Sequence, residues 1–136
     1  MKAEDRAALV RYRLAKADRT LHQAETLAMA GEWDGTVNRA YYAMFYAAEA
    51  LLAHRGLGAR RHTGVLVLVD RELVAPGLVA PEQAARLREA YRLRQRADYA
   101  DEAPVTGDRG QELLAAARCF VAAAALTIAA AGEVET

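Results

Sequence analysis

The sequence predicts an all-α protein: an antiparallel up-and-down bundle of four long helices with an additional short helix, in a single domain spanning residues 1–136. Three observations carry this expectation. Apolar residues recur at three- and four-residue spacing, the period of a helix with one buried face. Three prolines and a few glycine-bearing stretches cut the chain into pieces of helical length, with no strand-like alternation, internal repeat or long linker between them. A hydrophobic fraction of 54%, much of it alanine, beside 26% charged residues describes a folded helical chain rather than a disordered one.

The first helix is expected from about Ala3 to Ala30, where Val10, Leu14, Ala17, Leu21, Ala24 and Ala28 form one apolar stripe and Gly31 supplies the stop. Asp34 is placed to cap a second helix that continues to about Arg55, before Gly56. Its aromatics are dense enough for contacts on more than one side. A loop with Gly56, Gly58 and the basic pair Arg60–Arg61 leads to Thr63, a candidate cap for a short helix through Leu73, which Pro76–Gly77 ends. Pro81 suits a first helical turn, where its missing N–H is not needed, and opens a helix to about Tyr99 or Ala100. After Pro104 and Gly107, Asp108 with Gln111 reads as a capping box for a last helix to Ala131 or Gly132.

At 136 residues the chain can bury a core without metal or disulfide staples. The formal net charge of +0 removes any global attraction to nucleic acid, so RNA contact must come from a local patch. Cys119 is the one cysteine, which excludes an internal disulfide, and no signal peptide is visible; a reducing cytoplasm is the expected compartment. The alanine-rich run from Ala115 to Ala131 is broken by Arg118 and has weak insertion drive, so no membrane span is expected. His22, His54 and His62 show no metal-ligand spacing, and no metal or other cofactor is expected.

The stretch Leu93–Arg94–Gln95–Arg96–Ala97–Asp98–Tyr99 departs from what a plain bundle helix needs. At about 100° per residue, Leu87, Ala90, Leu93, Ala97 and Ala100 share one broad face, with Arg94 and Asp98 together at its edge. Arg88, Arg92, Gln95, Arg96 and Tyr99 lie on the far side. One reading is structural: an i,i+4 ion pair worth about 0.2–0.5 kcal/mol, with the other arginines solvated. The other is functional, with a guanidinium, a carboxylate and a phenol gathered at a helix edge to do chemistry.

Taken with Asn38–Arg39–Ala40–Tyr41–Tyr42–Ala43–Met44–Phe45–Tyr46, His62 with Gly64–Val65, and the last helix around Ala117 to Val121, this stretch resembles the HEPN superfamily (higher eukaryotes and prokaryotes nucleotide-binding). The resemblance covers nearly the whole chain. It implies a small helical bundle, a homodimer with its cleft between two chains, and a place among RNases or toxins paired with a small nucleotidyltransferase. In that superfamily an arginine and a polar residue precede a histidine after four to six intervening positions. The arginine grips phosphate by a two-pronged hydrogen bond, and the histidine titrates near neutrality and moves the protons of 2′-hydroxyl attack. Here polar Gln95 follows Arg94, but the corresponding later positions are Tyr99, Ala100 and Asp101. The chain resembles the small prokaryotic branch with Arg-x-x-Ala-Asp-Tyr in place of the histidine form.

Three functions follow from these residues. In the first, the chain is the HEPN half of a toxin–antitoxin-like pair with a small nucleotidyltransferase. It then binds nucleotide or RNA at a dimer cleft through Arg94, Gln95, Tyr42 and His62. In related pairs the transferase adenylylates a tyrosine near the motif, and Tyr99 is the nearest one here. In the second, the chain is a metal-independent endoribonuclease toxin, with Asp98 or Tyr99 beside Arg94 in catalytic roles. Tyr99, with a reference pKa near 10, makes a poor base at neutral pH. The third is a non-catalytic helical dimerisation module. His62 beside Arg60 and Arg61 reads either as a phosphate contact or as a helix-start histidine bonded to backbone. Among Tyr41, Tyr42, Phe45 and Tyr46, one tyrosine is expected to reach the cleft and the rest to pack.

Overall fold

The fold was described from a computed structural model, which covers residues 1–97 and 103–135. Five helices follow one another: α1 Ala3–Met29, α2 Trp33–His54, α3 His62–Leu68, α4 Pro81–Ala97 and α5 Gly107–Glu135, with no strand among the described residues. Four are long and α3 is short, as the apolar periodicity predicts.

The helices run up, down, up and down. Arg13 Nη1 donates to the Glu49 carbonyl at 3.2 Å, and Arg39 Nη1 donates to Gln23 Oε1 at 3.3 Å, so ten residues forward along α1 match ten back along α2. Trp33 covers Gly107 and Gly110, while Ile128 packs with Ala50 and Ala53 at the other end, so α5 runs parallel to α2. Tyr91 and Arg94 lie over Tyr41 while Arg109 pairs with Glu89, which orients α4 against both. The stripe on α1 is inward as expected: Val10, Ala17 and Ala24 are buried, and Leu14, Leu21 and Ala28 are half-buried against the core. By length and composition α5 could cross a membrane, and its stripe Leu113, Leu114, Ala117, Phe120, Val121 and Ala124 is packed into the bundle.

Three elements stop in the same way. Gly31, Gly56 and Gly77 have φ of 73°, 76° and 84°, a left-handed conformation that only glycine adopts without strain. In each case the glycine N–H and the next N–H bond back to freed carbonyls: Gly31 to Ala28 and Glu32 to Leu27, Gly56 to Ala53 and Leu57 to Leu52, Gly77 to Val74 and Leu78 to Leu73. This is the Schellman arrangement, and it satisfies acceptors that a helix end otherwise leaves bare.

The helix starts differ from expectation. Asp34 does not cap its own helix; α2 begins one residue earlier, and the Asp34 carboxylate accepts from Val105 N–H at 2.8 Å, tying the approach to α5 onto α2. The last helix begins at Gly107 rather than Asp108, because Thr106 Oγ1 accepts from the Arg109 N–H at 3.3 Å and fills the cap position. Asp108 then sits in the first turn, where a carboxylate suits the helix dipole. The short helix starts at His62, not Thr63, and widens into a π-helical turn over Val69–Val74. Pro76 has no N–H to continue an ordinary ladder, and Ala75 N–H reaches back five residues to the Asp70 carbonyl at 3.1 Å.

Helix α2 is the centre of the molecule. Alanines at 40, 43, 47, 48, 50 and 53 are buried, as are Tyr41, Met44, Phe45, Leu51 and Leu52, so its neighbours approach closely on almost every side. Only one stripe between Gly35 and Glu49 remains half-buried: Gly35, Asn38, Arg39, Tyr42, Tyr46 and Glu49. At 1.5 Å per residue it is about 20 Å long.

The clamp between α2 and α5 gives a stability prediction. A Cβ added to Gly110 would lie 2.6 Å from Trp33 Cε3, too close for a rigid indole to tolerate without moving. Gly110→Ala is expected to cost about 1–3 kcal/mol in chemical denaturation, with a changed tryptophan emission, because overpacking displaces the ring. Unchanged stability and emission would show that Trp33 is not seated there.

Candidate functional site

Tyr41 and Tyr42 are adjacent on α2 and face different surroundings. Tyr41 is fully buried, and its hydroxyl lies 2.8 Å from Nδ1 of His62 at the start of α3. His62 stacks on Phe45 with ring centroids 4.3 Å apart and meets Tyr42 edge-on at 5.7 Å. Tyr91 of α4 lies 5.6 Å from Tyr41, and its hydroxyl accepts from Gln95 Nε2 at 3.1 Å. Arg94 brings its guanidinium carbon to 5.2 Å from the Tyr42 centroid and 5.8 Å from that of Tyr41. Arg39 comes to 5.1 Å from Tyr42. Both guanidiniums therefore stand within cation–π range of one half-buried ring.

Electrostatics follow from this packing. Burial is the main force raising the Tyr41 pKa far above the usual phenol range, reinforced by neighbouring Tyr42 and only partly offset by Arg94. The His62 pKa is lowered, first by burial and then by the Arg94 charge. The tautomer that gives the buried Tyr41 proton an acceptor has the phenol donating to Nδ1 and the neutral imidazole carrying its own proton on Nε2. An imidazole held this way is a hydrogen-bond donor, with its one lone pair already used.

Of the residues singled out from sequence, Arg94, Gln95, Tyr42 and His62 come together around the Tyr41–Tyr91 pair. Gln95 is exposed and Arg94 half-buried, as the wheel placed them. Asp98 and Tyr99, and with them the Arg94–Asp98 pair and the adenylylation candidate, lie outside the described residues. His62 departs from the expectation of a backbone bond at a helix start, because its Nδ1 is taken by a side chain 21 positions away. Tyr46 is half-buried beside Tyr42, while Tyr41 and Phe45 are packed in the core. Sequence reasoning missed Arg39 and Tyr91. The spacing of Arg39, Tyr42 and Tyr46, three and then four residues, was the signal for a shared face.

Residues 10–127 match the family described as HEPN domain. The chain belongs to that family. Among its relatives is a protein of Methanocaldococcus jannaschii named "Putative toxin MJ0142", 31% identical over 108 residues, covering 79% of this chain and 74% of the relative. A second from the same organism, "Putative toxin MJ0605", is 30% identical and covers 77% and 78% of the two chains. A UPF0332 protein of Gloeobacter violaceus is 38% identical over 84 residues, 62% of this chain and 67% of that one. These names fit the small prokaryotic branch of the family.

The Tyr41–His62 bond makes a pH prediction. Because the folded His62 pKa lies below the ordinary 6.5, the unfolded chain takes up this proton first as pH falls. His62 therefore favours folding above that value, and the contribution is lost as pH falls through and below it. Urea midpoints measured between pH 7.5 and pH 5 are expected to fall more in the native protein than in His62→Phe. Tyr41→Phe is expected to cost about 1 kcal/mol, and Arg94→Gln to move the His62 titration, read by NMR, part of the way back up toward its ordinary value. A His62 that already titrates at 6.5 in the native protein would contradict the assignment.

Proposed function

We propose that this HEPN-domain protein is the toxin-like half of a pair with a small nucleotidyltransferase, acting in the cytoplasm, and that it binds nucleotide or RNA at the site built around Arg94. One observation carries the reading: the Arg94 guanidinium stands over the Tyr41–Tyr42 pair beside a neutral His62 that keeps an N–H donor. A fixed cation suits phosphate, a half-buried ring face suits a base, and a neutral donor suits either without repelling the other. The names of the relatives support the toxin-like character. The family resemblance supports the transferase partner and the homodimer, whose cleft would set two such sites face to face.

A second reading is a metal-independent endoribonuclease working through Arg94 with Asp98 or Tyr99, and the relatives named as toxins favour it. Cleavage requires a group that accepts a proton from the 2′-hydroxyl, and in the tautomer assigned above the lone pair of His62 is occupied by Tyr41. Binding is therefore the reading put first. A helical dimerisation module without ligand is third, since it leaves the Arg94–Tyr42 pairing without a use.

The test uses the purified full chain and a short labelled oligoribonucleotide. Arg94→Ala is expected to weaken binding at least tenfold, and Arg94→Lys to restore only part of it, because lysine lacks the planar fork. Total RNA incubated with EDTA is expected to stay intact. Cleavage lost in Arg94→Ala would move the second reading to first place, and absence of any binding would remove the proposal. Light scattering at micromolar concentration is expected to report a dimer; a monomer there would defeat a cleft shared between two chains.

A further inference from the structure

We infer that the Arg94 site is one end of a longer track for single-stranded RNA, running along the surface stripe of α2 and onto α1. This rests on the reading just given and extends it beyond the Arg94 site to a surface on two helices. From Tyr42 the stripe continues to Tyr46, whose ring centroid is 5.8 Å away. Lys16 of α1 places its ammonium 4.4 Å from the Tyr46 centroid and 5.9 Å from that of Tyr12, which is 59% exposed. In the other direction Tyr42 meets Arg39 at 5.1 Å. Cations therefore bracket the rings, with Arg39 against Tyr42, the Tyr42–Tyr46 pair between, and Lys16 bridging Tyr46 to Tyr12. With α1 running antiparallel to α2, the track is about 16 Å long at 1.5 Å per residue.

The chemistry selects the ligand. Among the described residues, Arg39 donates to neutral groups, Asn38 Oδ1 at 2.9 and 3.0 Å and Gln23 Oε1 at 3.3 Å, so its fork is positioned while its charge stays available. The carboxylate at the far end, Glu49, faces two cations, Arg13 at 3.9 Å and Lys16. The stripe thus concentrates positive charge in a chain of formal net charge +0. Phosphates meet the cations and bases stack on the rings, which a duplex with its bases paired inside cannot do. A mononucleotide would leave most of the track empty.

The test compares binding of labelled di-, hexa- and dodecaribonucleotides and of a fully paired hairpin, using the full-length chain. Affinity is expected to rise at least tenfold from dinucleotide to hexanucleotide, with the hairpin weaker than the single strand. Tyr46→Leu and Lys16→Ala are each expected to lower hexanucleotide affinity roughly five- to tenfold, and Lys16→Ala to make it less salt-dependent. Should Tyr46→Leu fail to fold by circular dichroism, the surface change Lys16→Ala decides alone. Equal affinity for dinucleotide and hexanucleotide, both lost in Arg94→Ala, would overturn the track and leave the Arg94 site standing. Tightest binding to the hairpin would also overturn it. Variants that dissociate a dimer while RNA binding persists would assign the stripe to a second copy of the chain, again against the proposal. No binding at any length would remove both readings.

Discussion

Everything in this bundle depends on how completely α2 is enclosed. Its small side chains let neighbouring helices approach, and α5, which runs in the same direction, packs along it from Trp33 and Gly110 at one end to Ala50 and Ile128 at the other. Enclosure on nearly all sides leaves α2 a single route to the surface, between α1 and α4. Polar and aromatic groups that the core cannot hold gather on that stripe, where their hydrophobic bodies are half-covered and their polar ends are wet. The site is thus positioned by packing, and α4 contributes Arg94 and Gln95 because its free edge borders the same opening.

The buried Tyr41–His62 bond links this packing to the chemistry of the site. A phenol with no exposure needs a partner, because a buried hydroxyl without one carries a desolvation cost of about 1–3 kcal/mol. His62 can accept from it only in its neutral form, and both burial and the Arg94 charge favour that form. Burial first and the neighbouring cation second therefore favour the neutral imidazole, the form that accepts from the buried phenol. Arg94 itself lies over ring faces, an arrangement that keeps a guanidinium partly desolvated with its charge intact.

The helical layout was legible in the sequence because its signals are local. Gly31, Gly56 and Gly77 end their elements through bonds to residues three to five positions back, and the apolar stripe of α1 is written at helical spacing. The caps at Asp34 and Asp108 were misread for the opposite reason. Asp34 is the residue type that caps helices, yet its partner is Val105, 71 positions away, and Thr106 supplies the cap assigned to Asp108. The candidate site divides along the same line. Arg94 and Gln95 stood out within one segment, while His62 acquires its role from a tyrosine 21 residues upstream and Tyr91 from a ring on another helix.

A histidine does reach the neighbourhood of Arg94, though from α3 and not from the arginine's own helix. Spatial nearness alone would make His62 the replacement for the absent motif histidine, and its bonding argues otherwise. A general base needs a lone pair directed at the proton it removes, and in the tautomer that satisfies the buried Tyr41 phenol that lone pair is occupied. To act as a base, His62 would have to give up the Tyr41 hydrogen bond and leave a fully buried hydroxyl without its partner. The packing that brings the imidazole to the site therefore also holds it out of proton transfer for as long as the Tyr41 bond is kept in that tautomer.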